Sequence, residues 1–200
     1  MQTLLPSFIV GIGGSAGGLK SFRLFLSTLP NDTGMAFVFI SHVYPEADSQ
    51  LAQILSWNTK MPVVMVTKDT EVSADRVYVI APDTDLRMNG NMLVVSSPTT
   101  RNEQVDIFFT SLALNHGKRA IGIIFSGYDG DGALGSEQIK MHGGITFAEN
   151  GAQVKSMPQS ARDLGFIDFV MLSEEMPAAL KRISAKNKKE SHETSFIVDT

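Results

Sequence analysis

The stretch from Pro6 to Phe22, PSFIVGIGGSAGGLKSF, constrains the fold of this chain more than any other. An apolar run from Phe8 to Ile12 breaks into glycines around a single serine, and apolar residues resume at Leu19, Phe22, Phe25, Leu26 and Leu29 with helical spacing. That is the pattern of a strand, a tight turn and a helix. The turn, Gly13-Gly14-Ser15-Ala16-Gly17, is a G-x-S-x-G sequence, in which small neighbours let a nucleophilic serine stand on a sharp bend at the mouth of a helix. Backbone N–H groups and the positive end of the helix dipole favour negative charge there. The amide of Ala16 is therefore a candidate donor to the oxyanion of an acyl-transfer intermediate. The same letters satisfy a competing pattern, because Gly11, Gly13 and Ala16 fit the G-x-G-x-x-A dinucleotide fingerprint. A dinucleotide site places an acidic residue at the end of the second strand to hold the ribose. Here the second apolar run, AFVFIS, is followed by His42, and Asp32 precedes it.

A chain of 200 residues with 43% hydrophobic content buries one core and predicts a single domain, placed at residues 1–183. From Ser184 the sequence SAKNKKESHETSFIVDT is polar and charged without a sustained period, which predicts a disordered tail or linker over residues 184–200. The net charge of -4, with basic residues scattered until the last twenty positions, excludes a phosphate-tracking groove and a basic membrane-binding helix. The absence of cysteine excludes disulfides, thiolate chemistry and a cysteine-based zinc site. The four histidines are far apart and lack metal-ligand spacing, so no metal is expected. No apolar stretch reaches the ~18 residues of a membrane span and no secretory leader is visible, which predicts a cytoplasmic protein without membrane insertion.

Further strands are predicted at Ala36–Ser41, Pro62–Thr67, Val77–Ala81, Ala120–Phe125, Ile145–Ala148 and Ile167–Met171. Helices are predicted over Leu51, Ile54 and Leu55 with Asp48 or Ser49 as N-cap, over Val105–Leu114 ending at Gly117, and over Ala133–His142 ending at Gly143-Gly144. A short helix is expected within Gln153–Leu164. A closing helix is expected with Ser173 as cap and Glu174 and Glu175 in its first turn. Asn89-Gly90-Asn91 between two β-type runs signals a hairpin. Strands alternating with helices predict an α/β fold: a doubly wound, mainly parallel sheet with helices on both faces, a Rossmann-like three-layer arrangement, plus an antiparallel hairpin.

In such a sheet ligands bind at the carboxyl ends of the strands. Ser15 follows one strand, His42 a second, and Asp129 and Asp131 a third, so three complementary groups are expected on one rim. A serine hydroxyl needs a base to take its proton and an acidic residue to hold that base, and histidine suits the base role. The order Ser, His, Asp differs from the Ser, Asp, His order of α/β-hydrolases. Each residue also has a plain structural use: a helix cap for the serine, a loop position for the histidine, and Asx turns or a cap of the next helix for the aspartates. His116 and His142 precede glycines at helix ends and are read as structural; His192 lies in the tail.

These residues resemble the CheB protein-glutamate methylesterases of bacterial and archaeal chemotaxis from about Phe8 to Ile183. The motifs that carry the resemblance are VGIGGSAGG, FISHVYP, VYVIAP, VDIFFTSLA, SGYDGDGALG and MPQSA, in that order. The resemblance implies Ser15 as nucleophile, His42 as general base, Asp131 as the residue orienting His42, and the backbone N–H of Tyr128 as an oxyanion donor. It further implies hydrolysis of γ-glutamyl methyl esters on the cytoplasmic part of chemoreceptors, glutamine deamidation in some members, and no cofactor. The pattern is closest to versions fused upstream of a methyltransferase domain, which makes a fused or associated methyltransferase an expected partner. Three positions depart from the family's usual pattern: Asp129 in place of a small residue in the aspartate loop, Asp85 in place of a histidine, and Ala16 in place of a threonine. Asp129 leaves two carboxylates able to compete to orient His42, with Asp131 favoured by its position in the motif. Two other readings stand beside this one, a nucleotide-binding module and a catalytically weakened receptor-docking domain.

Overall fold

The computed structural model describes residues 4–41, 50–100 and 102–197. In chain order the elements are β1 (Ile9–Gly14), α1 (Gly18–Thr28), β2 (Ala36–Ser41), α2 (Leu51–Ser56), β3 (Val63–Val66), β4 (Thr70–Glu71), β5 (Arg76–Ile80), β6 (Asp85–Asn89) and β7 (Met92–Ser96). There follow α3 (Gln104–His116), a 3-10 turn (Gly117–Arg119), β8 (Ala120–Ile124), α4 (Ala133–Met141), β9 (Ile145–Glu149), α5 (Ser156–Asp163), β10 (Phe169–Met171) and α6 (Met176–Ile197).

The apolar runs of β1, β2 and β8 do not alternate because both of their faces are covered, and every residue of these strands is buried. They form the middle of a seven-stranded sheet of order β10-β9-β8-β1-β2-β5-β3 in which every pairing is parallel. From β1 the chain passes to β2, then to the edge strand β3 and back to β5 between them, and returns at β8 to work outward on the other side through β9 and β10. The β1–β8 junction is thus the topological switch point, where loops leave the sheet in opposite directions and open a crevice. On one face Phe22, Phe25 and Leu26 of α1, Leu55 of α2 and Leu180 of α6 pack on Phe37, Phe39 and Phe125. On the other, Phe108, Phe109 and Leu112 of α3, Ile139 of α4 and Met157 and Ala161 of α5 pack on Val38, Ile40 and Ile124. The predicted doubly wound, three-layer sheet is the observed one.

The glycines of β1 serve this packing. A Cβ on Gly11 would lie 2.8 Å from the Phe109 ring, and one on Gly13 would overlap the Val105 side chain. The letters that mimic a dinucleotide fingerprint are those that let α3 lie close on the sheet.

The predicted hairpin forms a separate antiparallel sheet with β4, in the order β4-β7-β6. Asn89 pairs with Met92, so the two loop residues are Gly90 and Asn91, with Gly90 at φ 55° in the first central position. The closing helix differs from expectation. It begins at Met176, and Ser173, Glu174 and Glu175 form a turn in which Glu175 N–H donates to Leu172 O at 3.0 Å. Pro177 sits in the first helical turn, where its missing N–H costs no bond, and that fixes the start. From Ala178 to Ile197 the helix meets neither glycine nor proline, so it runs into the stretch expected to be a tail. The predicted boundary at 183 falls inside it, and the buried Ser184 hydroxyl reaches Thr33 O at 3.4 Å. The candidate caps Asp48 and Ser49 lie outside the described residues; α2 starts at Leu51 after Gln50 without a side-chain cap bond.

Candidate active site

The G-x-S-x-G sequence forms the expected elbow. Ser15 N–H donates to Ser126 O at 2.9 Å, Gly18 N–H donates to Ser15 O at 2.8 Å, and Gly17 at φ 77° swings the chain into α1. A Cβ on Gly17 would lie 2.6 Å from Ser126 Oγ, and one on Gly14 2.9 Å from the Phe22 ring, so the bend is sterically closed to larger residues. Gly17 is the N-cap residue and no side chain caps α1. Ser15, half-buried, is therefore not used as a helix cap, and its hydroxyl donates to no acceptor among the described residues.

His42 lies outside the described residues. Ser41, the residue before it, is the register partner of Gly14, the residue before Ser15. Among the described residues the buried Ser41 hydroxyl has no hydrogen-bond partner.

Asp131 is buried at the switch point. Its Oδ2 accepts Val105 N–H and its Oδ1 accepts Asp106 N–H, both at 2.9 Å, so the carboxylate caps the start of α3. Asp106 returns the exchange by accepting Gly135 N–H at 2.6 Å in the first turn of α4. The plain reading of Asp131 as a cap of the following helix is thus realised on the other helix of the pair. Burial, reinforced by the nearby charge of Asp131, pushes the Asp106 carboxyl up to about 6. Val105 links the two candidates: its amide is held by Asp131, and its side chain lies over Gly13, two residues from Ser15.

The other carboxylates of the sequence reading have separate structural uses. Asp129 is exposed at φ 64° and accepts Asp131 N–H at 3.1 Å, an Asx-type bond that shapes the loop. Asp85 is fully buried and accepts Thr99 N–H at 3.0 Å and Thr99 O–H at 2.7 Å, with Arg87 at 3.5 Å. It anchors the segment leading into α3. His116 meets Gly90 O at 2.9 Å and burial pushes its pKa down; His142 meets Gln138 O at 2.8 Å. Both close helix ends, as read from the sequence.

The loop carrying Tyr128 is braced from below. Gly127 N–H donates to Val154 O and Gly127 O accepts Met157 N–H, each at 3.1 Å, and a Cβ on Gly127 would overlap the Met157 sulfur. The MPQSA element thereby fixes the backbone that presents the Tyr128 N–H. Among the described residues neither Tyr128 N–H nor Ala16 N–H donates to a protein acceptor.

Sequence reasoning missed the two residues that join this loop to the elbow. Ser126 is fully buried. Its carbonyl accepts Ser15 N–H, its hydroxyl donates to Ala16 O at 2.9 Å, and Val154 N–H donates to that hydroxyl at 2.9 Å. Glu149, at the carboxyl end of β9, accepts Ser126 N–H at 2.8 Å and Ser21 O–H at 2.6 Å. Burial pushes the Glu149 carboxyl above its ordinary range, partly offset by those two bonds. The available signal was an acidic residue closing the otherwise apolar strand ITFAE at the rim of the sheet.

The fold and the elbow define the class: α/β proteins with a serine on the first strand-to-helix bend at the switch point of a parallel sheet. Within that class the CheB methylesterase family model matches residues 10–180, and the chain belongs to this family. It is 30% identical over 193 residues to the protein-glutamate methylesterase/protein-glutamine glutaminase 4 of Burkholderia thailandensis, covering 94% of this chain and 56% of that one. It is 37% identical over 125 residues to an uncharacterised 104.1 kDa protein of Rhodobacter capsulatus, covering 60% of this chain and 13% of that one. The chain thus spans about half of the first relative and a small part of the second. The crystal structure of the Thermotoga maritima CheB methylesterase catalytic domain superposes with a TM-score of 0.81 at 25% identity, over 88% of this chain and 98% of that one. No helix among the described residues is long and apolar enough to cross a membrane.

Proposed function

We propose that this chain is a protein-glutamate methylesterase whose nucleophile is Ser15. The observation that carries the reading is the elbow: a serine hydroxyl uncommitted to any cap, beside backbone N–H groups, at the switch point of the sheet. In this mechanism Ser15 Oγ attacks the ester carbonyl while His42 takes its proton, and the amides of Ala16 and Tyr128 receive the oxyanion. Asp131, a buried carboxylate held in place by two amides, orients His42. Collapse of the tetrahedral intermediate breaks the ester C–O bond and releases methanol with the proton carried by His42. Water, deprotonated by His42, then cleaves the acyl-enzyme to glutamate. A glutamine side chain enters the same sequence with ammonia as leaving group, which supports a second, glutaminase activity.

The substrate is methylated glutamate on the cytoplasmic part of chemoreceptors, which places the chain in the cytoplasm. The sizes of the longer relatives support action within a larger assembly, for which a methyltransferase is the proposed companion. A nucleotide-binding role is not favoured, because Gly11 and Gly13 are covered by Phe109 and Val105. A weakened docking domain is not favoured either, since Asp85 and Asp129 hold loops and leave the elbow unaltered. The test is Ser15→Ala against wild type on a methylated receptor fragment. Methanol release is expected to fall by about 10³-fold or more with thermal unfolding unchanged. Normal turnover by the variant would refute the assignment.

A further inference from the structure

Beside the elbow an open cavity of about 410 Å³ runs along the outer face of α1. It begins at Gly17, two residues from Ser15, where Gln153 forms the opposite wall with its Cβ 3.2 Å from the position a Cβ on Gly17 would take. It ends near Ser27. Ten residues of helix at ~1.5 Å each give it a length of about 15 Å. Leu19 and Leu24 supply an apolar floor, 38% and 36% exposed on a helix whose other apolar residues are buried in the core. Among the described residues the charged groups that line the cavity are Lys20 and Arg23, exposed and one turn apart, and no carboxylate lines it. Neither cation forms a salt bridge among the described residues. In a chain of net charge -4 this is a local reversal of sign that leads away from the nucleophile.

We propose that this groove is the docking site for the protein substrate, and that it takes an acidic polypeptide segment flanking the esterified glutamate. The proposal rests on the esterase reading and adds the side from which the substrate lies across the site. The charge has a chemical reason. Each turnover converts a neutral ester into a carboxylate, so a segment with several modifiable glutamates becomes more acidic as it is processed. A partly hydrolysed segment then holds carboxylates for Lys20 and Arg23 while its next ester reaches Ser15. Aliphatic contact with Leu19 and Leu24 orients the backbone, and the paired cations contribute encounter rate and specificity.

The test compares wild type with the double variant Lys20→Glu/Arg23→Glu. Two readouts are used: hydrolysis of a methylated receptor cytoplasmic fragment, and the rate of Ser15 labelling by a small fluorophosphonate. Both side chains are exposed, so thermal unfolding is expected to be unchanged. At low salt the variant is expected to lose about 10-fold or more in kcat/KM on the protein substrate, chiefly through KM, while labelling proceeds at the wild-type rate. Added salt is expected to raise the wild-type KM and to lower that of the charge-reversed variant, because it screens attraction in the first and repulsion in the second. The neutral pair Lys20→Gln/Arg23→Gln should fall between the two. A variant that labels normally and keeps the wild-type KM and salt response overturns the groove alone. A wild-type chain that takes no label at Ser15 overturns the esterase reading and the groove with it.

Discussion

Asp106 and Asp131 exchange helix ends, each caught in the first turn of the other's helix, and the exchange places a half-buried carboxylate close to a buried one. Asp106 bears the cost: its carboxyl is raised from 3.8 to about 6. Because the folded value lies above the unfolded one, the folded state binds the extra proton in the interval between them. The resulting stability is present in full below about pH 4 and is lost as pH rises through about 6. Asp106→Asn keeps an acceptor for the Gly135 amide and removes the charge. Urea unfolding is expected to show the variant stabilised by about 1–2 kcal/mol at pH 8 and almost unchanged at pH 4. An equal shift at both pH values would show that charge is not the cause. At this scale the sequence marked Ser15 and Asp131 because glycines isolate them, and glycine clusters are visible in one dimension. The capping pair was hidden, since Asp106 and Gly135 meet only when α3 and α4 pack.

At the scale of elements, the strand-to-helix bend after β1 and the loop after β8 are one unit, clamped by Ser126 and Glu149. Glu149→Ala leaves the Ser126 amide and the Ser21 hydroxyl without an acceptor, whereas Glu149→Gln retains one. We expect Glu149→Ala to lower stability by about 1–3 kcal/mol and to slow fluorophosphonate labelling by about 10-fold in the fraction that remains folded. Glu149→Gln is expected to restore the labelling rate. If both variants label at the wild-type rate, the clamp has no part in placing Ser15. The elements were readable because a strand covered on both faces is a continuous apolar run, as in AFVFIS and AIGII, and because Gly117 and Gly143 end helices where they stand. Two features were not. The start of α6 depends on Pro177 rather than on the better-looking cap Ser173, and β4 is two residues long with no pattern of its own. The clamp was invisible for a different reason: its hydrogen bonds join residues 23 and 128 positions apart.

On the scale of the whole molecule, a doubly wound sheet brings the ends of β1, β2 and β8 side by side; the alternation of strands and helices implied a shared rim, and the pairing of β8 with β1 is visible only in the fold. The proposed activity depends on the serine of the first bend acting as the nucleophile of an ester hydrolase. It is tested most directly by treating the wild-type chain with a serine-directed fluorophosphonate and mapping the tagged peptide. A single tag on Ser15 is expected, and none on the Ser15→Ala variant. A folded wild-type chain that takes no tag, or takes it on another serine, would contradict it.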